Sequence, residues 1–227
     1  MTTRVKICGL KTEAALAAAL EAGADMVGFV FFPASPRHVE IAQASALARC
    51  AAGKADVEAL TVDADDALLD RIVAEVKPQW LQMHGRETPE RVGAVRARFG
   101  VSVLKVIGVE TAEDAARARA YRDVADLIMF DAKAPKGSVI PGGNGVTFDW
   151  RLLGGVMEQV PYMLSGGLTA DNVGDAIHAT GAGLVDVSSG VERSPGIKDP
   201  DKIRAFLQAV RSADQSSPRS AVSKRSV

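Results

Sequence analysis

The stretch RVKICGLKTEAALAAALEAGADMVGFVF, residues 4–31, contains one complete copy of the pattern that determines the fold. Two short apolar runs, RVKIC at 4–8 and MVGFVF at 26–31, flank an alanine-rich segment of helical periodicity at 13–23. Thr12 before this segment and Gly23 at its end are residue types that cap helices. The stretch therefore predicts a strand, a helix and a second strand.

The alternation of strand and helix continues along the chain. Further strands are predicted at 57–62, 80–84, 101–107, 127–131, 162–165 and 184–189, and further helices at 41–53, 64–76, 89–100, 112–122, 150–160, 170–181 and 200–211. Thr88 with Gly100, and Thr169 with Gly181, repeat the capping pattern. Eight units of this kind predict a single (β/α)8 TIM barrel over residues 1–211, with a doubly wound open sheet as the alternative. We expect the Ser-rich segment 212–227 to be a disordered tail.

Composition excludes several classes of protein. The 227-residue chain carries 27 Lys and Arg against 28 Asp and Glu, so no overall field favours nucleic acid or an anionic membrane. Two cysteines, Cys8 and Cys50, form neither a disulfide framework nor a metal-binding pattern. No signal peptide or membrane-length apolar run is present. These features predict a soluble, cytoplasmic protein with no metal and no cofactor.

Polar residues recur at the carboxyl ends of the predicted strands. Side chains alternate between the two faces of a strand, and apolar pairs such as Val5 and Ile7 suit the helix layer, so their neighbours point into the barrel. The inward polar residues predicted in this way are Lys6, Cys8, Gln82, His84, Asp131, Asp186 and Ser188. Active sites of such barrels lie at this end.

Each of these residues also has a structural interpretation. Cys8 alone is more often a small buried apolar residue, and His84 alone a hydrogen-bonded histidine. Asp131 and Asp186 can cap the loops that follow them. Their joint occurrence at one end favours a functional site, because burying several polar groups without a use costs free energy.

Three glycine segments, GGNG at 142–145, SGGL at 165–168 and SSGVE at 188–192, form a second candidate site. The last two follow strands seven and eight, where barrels bind phosphate through backbone N–H groups. Tight turns are the alternative, and it is favoured for GGNG taken by itself. The candidate phosphate-binding residues are Gly143, Gly145, Gly166, Gly167, Ser188, Ser189 and Gly190.

Charged residues near the same end suggest two further roles. Arg37, in the loop FFPASPRHV at 31–39, can form a fork onto a substrate carboxylate or can be solvated surface charge. Lys6, Lys105 and Lys133 lie at or near strand ends, and a Schiff-base aldolase would use one of them. Lys6 has the inward orientation that this rival chemistry needs.

Taken together, KICGL, FxFxxxSPRxV, LQMHG, FDAK, GGNGxxFDW, LSGGL and VDVSSGVExSPGIKD resemble the motifs of the phosphoribosylanthranilate isomerases of tryptophan biosynthesis. The resemblance extends from Val5 to about Phe206 and implies a barrel of the ribulose-phosphate-binding type. Met83 stands where Leu is commoner, and the sixth strand ends FDAK where LDT or LDS is more usual. Neither departure removes a catalytic group.

The resemblance implies an Amadori rearrangement of an aminoaldose to an aminoketose, with a phosphorylated aminosugar as substrate. In this family Cys8 would be the general base and Asp131 the general acid. Arg37 would bind the carboxylate of the substrate. Gln82, His84 and Asp186 would line the ligand site. We expect the pKa of Asp131 to be raised, so that it carries a proton. Cys8 suits a base if its pKa is modestly lowered, as Lys6 or the iminium of the ligand could do.

Two other functions stay open on the sequence. The Schiff-base aldolase would act on a phosphosugar, and a non-catalytic sensor would bind a phosphorylated ligand without turnover. The sequence does not decide between a monomer and a homodimer.

Overall fold

Eight parallel strands close into a barrel in the computed structural model, which describes residues 2–216. The strands are β1 Arg4–Cys8, β2 Met26–Phe31, β3 Asp56–Thr61, β4 Trp80–Met83, β5 Ser102–Val109, β6 Leu127–Ala132, β7 Tyr162–Leu164 and β8 Leu184–Val187. Closure comes from pairing of β1 with β8, in which Lys6 lies opposite Asp186. The predicted (β/α)8 barrel is therefore confirmed, and the open sheet is excluded.

Helices follow most of the strands and surround the barrel. They are α1 Glu13–Ala22, α2 Ile41–Ala51, α3 Asp66–Val76, α4 Pro89–Phe99, α5 Ala112–Ala116, α6 Val173–Thr180 and α7 Pro200–Ser216. A two-stranded hairpin, β9 Glu192–Ser194 and β10 Ile197–Lys198, lies between β8 and α7. Across residues 2–216, no helix combines the length and apolar character that a membrane span requires.

Local sequence explains where several helices begin and end. Thr12 and Thr88 accept backbone hydrogen bonds at the starts of α1 and α4, and Gly23 and Gly100 end these helices in the left-handed conformation. The predicted cap at Thr169 is wrong. α6 begins only at Val173, because the side chain of Asn172 bonds back to the N–H of Thr169 and holds that segment in a turn.

Two other predicted helices are interrupted or shortened in the structure. The segment 112–122 divides into α5 and a 3-10 helix, Arg117–Tyr121. The segment 150–160 forms one 3-10 helix, Trp150–Leu153, and two glycines follow it directly, which disfavours continuation as an α-helix.

The last helix is longer than predicted. α7 continues to Ser216, past the expected boundary at 211, because Ala213 is buried and the carboxylate of Asp214 accepts hydrogen bonds from the N–H and hydroxyl of Thr3. The expected disordered tail at 212–227 is therefore wrong for 212–216. Residues 217–227 of that tail lie outside the described residues.

The strand alternation divides the buried residues into two layers. Outward residues such as Val5, Ile7 and Phe130 pack under the helices in the main apolar core. Inside the barrel, an apolar layer fills the amino-terminal half and contains Met26, Leu104, Val106, Leu127, Met129, Met163 and Leu184. Polar inward residues occupy the carboxyl-terminal half, which is the end where active sites of such barrels lie.

Side chains also join neighbouring strands at the amino-terminal end. Asp25, Gln79 and Asp126 each directly precede an even-numbered strand and accept the backbone N–H near the start of the strand before it, at Val5, Val57 and Val103 respectively. These bonds satisfy N–H groups at the start of β1, β3 and β5, which would otherwise cost free energy.

We expect Asp25→Ala to lower the free energy of unfolding by about 1–3 kcal/mol, because it leaves the N–H of Val5 without this partner. Asp25→Asn retains an acceptor oxygen and is expected to cost less. Urea denaturation of the two variants measures the difference. Equal stability of Asp25→Ala and the parent protein would show that this bond contributes nothing.

Candidate active site

One cavity at the carboxyl end of the barrel brings together nearly all of the predicted site residues. Those that line it are Cys8, Arg37, Gln82, His84, Asp131, Gly143, Gly145, Gly166, Gly167, Asp186, Ser188 and Ser189. The exception is Gly190, which lies behind the wall, where a Cβ would overlap the carbonyl oxygen of Leu168. The sequence therefore predicted the location of the cavity, and a role for Gly190 in binding phosphate stays a prediction.

Lys6 is fully buried at the floor of this cavity. Its Nζ lies 2.8 Å from Oε1 of Gln82, 2.9 Å from Oδ1 of Asp186 and 3.1 Å from Oε2 of Glu58. Glu58 is on β3, two strands away from Lys6. Gly28, on the intervening strand β2, has no side chain and so leaves room for the two groups to meet. A Cβ at Gly28 would lie 3.3 Å from both Cε of Lys6 and Sγ of Cys8.

These neighbours keep Lys6 charged. Burial by itself would lower the pKa of Lys6, but the carboxylates of Asp186 and Glu58, together with Cys8, raise it well above its ordinary value. A Schiff base needs a neutral amine, so the aldolase alternative loses its candidate nucleophile.

The other two lysines considered for that chemistry lie elsewhere. Lys105 is buried in the helix layer, where its Nζ donates hydrogen bonds to Glu87 and to the carbonyl oxygens of Met83 and Gly85. Lys133 forms ion pairs on the surface.

Cys8 carries a tightly held proton in this environment. Burial raises the pKa of its thiol to about 12, and the carboxylates of Asp186 and Glu58 add to the effect of burial, while Lys6 and Lys198 oppose it. The expected modest lowering of this pKa is therefore wrong for the unliganded site. The physical reason is that full burial of the thiol disfavours the thiolate by more than the positive charge of Lys6 favours it.

Asp131 also retains a proton near neutral pH, as expected. Burial, followed by the negative charge of Asp186, raises the pKa of its carboxyl to about 7. The loop after β6 contributes to this burial, because Gly142 covers the carboxyl so closely that a Cβ would lie 2.5 Å from Oδ2 of Asp131. GGNG is thus part of the cavity roof as well as a turn.

Two hydrogen bonds and one longer polar contact connect Lys6 to the carboxyl of Asp131. Because Nζ of Lys6 donates to Oε1 of Gln82, the amide nitrogen of Gln82 faces Nδ1 of His84, at 3.2 Å. Burial and the charges of Lys105 and Lys6 lower the pKa of His84 to about 3, so the ring is neutral. Its proton then lies on Nε2, which is 3.5 Å from Oδ2 of Asp131.

Arg37 is held at the rim of the cavity, and its fork is already in use. Its Nε and Nη2 lie 2.8 and 2.9 Å from the two carboxylate oxygens of Glu192, and Nη2 also donates to the carbonyl of Gly143 at 3.0 Å. The predicted fork onto a substrate carboxylate is therefore not available, and Nη1 is the nitrogen that is left to bind one. The stem of Arg37 lies over Gly9, where a Cβ would come within 2.8 Å of its Cδ.

The glycine segments after β7 and β8 form a further part of the cavity wall. Gly166 and Gly167 have positive φ angles of 92° and 61°, and neither N–H is bonded to another residue of the described chain. The hydroxyl and carbonyl of Ser188 accept hydrogen bonds from Nζ of Lys198. This side offers backbone donors and hydroxyl groups to an anion.

Sequence reasoning missed two features of the cavity. The first is an apolar wall beside Cys8, formed by Val30, Phe32, Leu60 and Val62. The second is the set of charged partners Glu58, Glu192 and Lys198, all buried. Val30, Glu58 and Leu60 have the inward parity on β2 and β3, so the alternation rule would have found them. Glu192 stands inside the quoted segment SSGVE.

Comparison with known proteins identifies the family. The family model described as N-(5'phosphoribosyl)anthranilate (PRA) isomerase matches residues 5–209. The N-(5'-phosphoribosyl)anthranilate isomerase of Rhodopseudomonas palustris strain BisA53 is 56% identical over 215 residues, which cover 95% of this chain and 99% of the relative.

Solved structures agree with the sequence matches. The dimeric phosphoribosylanthranilate isomerase of Thermotoga maritima, solved as generated monomers, is 32% identical with a TM-score of 0.81, covering 93% of this chain and 100% of its own. A phosphoribosylanthranilate isomerase in complex with reduced 1-(o-carboxyphenylamino)-1-deoxyribulose 5-phosphate is 31% identical with a TM-score of 0.82 and the same coverage. The chain described here belongs to the N-(5'-phosphoribosyl)anthranilate isomerase family.

Proposed function

We propose that this chain is the isomerase of tryptophan biosynthesis that converts N-(5-phosphoribosyl)anthranilate to 1-(2-carboxyphenylamino)-1-deoxyribulose 5-phosphate. The observation that carries the proposal is the pairing of a protonated Asp131 and the thiol of Cys8 on the walls of one cavity. Family membership points to the same reaction. A direct test supplies phosphoribosylanthranilate generated in situ and follows the loss of its fluorescence.

The two ends of the cavity suit the two ends of this substrate. Arg37 lies at one end to bind the anthranilate carboxylate, next to the apolar wall of Val30, Phe32, Leu60 and Val62, which suits an aromatic ring. The glycine segments around Gly166, Gly167 and Ser189 also line the cavity and suit the phosphate. The sugar carbons that react would then lie between them, over Cys8 and Asp131.

The reaction needs one proton given and one removed. Asp131 donates its proton to the furanose ring oxygen, the C1′–O bond breaks, and the anthranilate nitrogen stabilises C1′ as an iminium ion. In the reactive arrangement the acid–base pair holds one proton, which is on Asp131, and Cys8 is a thiolate. This thiolate removes the proton from C2′ and becomes the thiol, and the electron pair of that C–H bond neutralises the iminium. The resulting enolamine tautomerises to the aminoketose, so no atom or electron is gained or lost.

Gln82, His84 and Asp186 position these groups. The neutral His84 presents Nε2 to Asp131 and can hydrogen-bond the carboxylate that forms when the acid has acted. Asp186 is bonded to Lys6 and to the hydroxyl of Ser165, which fixes both of its oxygens. We place the protein in the cytoplasm, where its two free thiols would stay reduced. A homodimer is the assembly we favour, by analogy with the dimeric Thermotoga maritima relative.

We expect Cys8→Ala and Asp131→Asn each to lower kcat by about 10²- to 10⁴-fold, because each removes one partner of the acid–base pair. Both variants should remain folded and should still bind the reduced product analogue, since the phosphate and carboxylate ends are unchanged. Turnover and equilibrium binding measure the two effects. Near-normal turnover in either variant would rule out the role assigned to that residue.

The pH dependence of kcat/KM should rise tenfold per pH unit up to about pH 7 and then level off. The site is reactive when Asp131 and Cys8 together hold one proton. The pair holds two below the pKa of Asp131, about 7, and loses the last only near the pKa of Cys8, about 12. The limb near pH 7 therefore reports ionisation of Asp131, although Asp131 acts as an acid.

Variants separate this limb from other titrations. Glu58, whose pKa burial also raises to about 7, titrates in the same range. We expect Glu58→Gln to retain the limb and Asp131→Asn to lose it. A parent profile that falls from pH 7 upward would contradict the proton count.

A further inference from the structure

A buried cluster of three charged residues lies at the carboxylate end of the cavity. Glu192 is at its centre, with Arg37 on one side and Nζ of Lys198 on the other, 2.9 Å from Oε1. All three residues are less than a tenth exposed. This arrangement provides two cations and one anion, and therefore one net positive charge, where the proposed function requires a carboxylate site.

Glu192 is held in its ionised form. Burial would raise the pKa of its carboxyl, but hydrogen bonds from Arg37 and Lys198 together with their charges lower it. It therefore acts on Arg37 as a fixed anion with both oxygens occupied.

Counting donors shows what Glu192 leaves for a ligand. An arginine guanidinium has five N–H groups. Glu192 accepts from Nε and Nη2, and the carbonyl of Gly143 accepts from Nη2 as well. Only Nη1 keeps its N–H groups unbonded within the described residues, so Arg37 offers a single nitrogen in one fixed direction.

The hairpin that carries Glu192 is tied to the loop that carries Arg37. The N–H of Gly196 donates to Oε2 of Glu192 at 3.2 Å, and a Cβ at Gly196 would overlap the carbonyl oxygen of Pro36. That carbonyl also accepts a hydrogen bond from Nζ of Lys11, at 2.8 Å. The contacts fix Glu192 relative to Pro36 and therefore relative to the next residue, Arg37.

We propose that Glu192 is a positioning residue that aims Nη1 of Arg37 into the cavity and thereby gives the enzyme its selectivity for a substrate with a single carboxylate on the aryl ring. The inference rests on the proposed function and adds the origin of its specificity. A single donor nitrogen in a cluster with one net positive charge suits a carboxylate, which carries one negative charge. A phosphate dianion would favour two guanidinium nitrogens of Arg37 in parallel.

Binding of two ligands tests the inference. One is the reduced product analogue with its 2-carboxyphenylamino group, and the other is the same compound with a phenylamino group. Glu192→Gln should bind the carboxylated ligand about tenfold more weakly, because the released Arg37 no longer holds its direction, and should bind the phenylamino ligand as the parent does. Equal weakening of both ligands, or unchanged binding of both, would overturn the inference.

Three further variants sharpen the test. Glu192→Asp keeps the charge and is expected to restore part of the lost selectivity, and it replaces Glu192→Gln in the comparison should that variant fail to fold. In an Arg37→Met background, adding Glu192→Gln should cause no further loss, because Glu192 acts through Arg37. Glu110→Gln, on the exposed surface, serves as the matched control and should bind both ligands normally.

The parent enzyme separates failure of this inference from failure of the proposed function. If the parent neither turns over phosphoribosylanthranilate nor prefers the carboxylated ligand, the function itself is wrong. If the parent does both and Glu192→Gln keeps the full preference, only the role of Glu192 is wrong.

Discussion

The ion cluster around Lys6 is the interaction on which the rest of the site depends. A single ammonium contacts side chains from β3, β4 and β8 and is itself on β1, so it connects half of the strands just below the cavity. It orients the amide of Gln82, and this orientation sets the tautomer of His84 and the nitrogen that faces Asp131. One buried cation thus determines a hydrogen-bond direction three side chains away.

Burial, together with a shortage of positive charge, explains the raised pKa values in the cavity. Glu58, Asp131 and Asp186 lie near one another with Lys6 as the cation among them, and burial removes the water that would otherwise stabilise their charges. The pKa values of Glu58, Asp131 and Cys8 are all raised as a result. These groups therefore hold their protons to higher pH than in water. The apolar layer in the amino-terminal half of the barrel keeps water from reaching them from that end.

How far the sequence predicted this site depends on how local each cause is. Strand alternation is a local property, and it correctly placed Lys6, Cys8, Gln82 and Asp131 inside the barrel. The pKa of Cys8 was predicted in the wrong direction because it depends first on full burial of the thiol and then on charges from other strands, including Glu58, which reaches Lys6 only where β2 carries Gly28. The alternation rule applied to β3 would have placed Glu58 inside, but not the gap that lets it reach Lys6.

Arg37 shows the same limit at the rim. Its position on the loop after β2 was predictable, but the occupation of its fork by Glu192 requires the contact between that loop and the hairpin β9–β10. The predicted helix at 150–160 failed for a different reason, since helical periodicity persists there while Gly154 and Gly155 make a continuous helix costly. Composition and spacing alone do not show whether the helical periodicity or the pair of glycines determines the local structure.

The charge that forms on the substrate during the reaction changes the proton affinity of Cys8. In the resting site Cys8 holds its proton more tightly than Asp131, which is opposite to what a base and an acid need. Proton donation by Asp131 creates a cationic iminium on the substrate, and a positive charge beside a buried thiol lowers its pKa. Between the two pKa values the pair holds one proton, and the reactive arrangement has that proton on Asp131 and Cys8 as thiolate. The iminium formed by proton donation then stabilises the thiolate until it removes the proton from C2′.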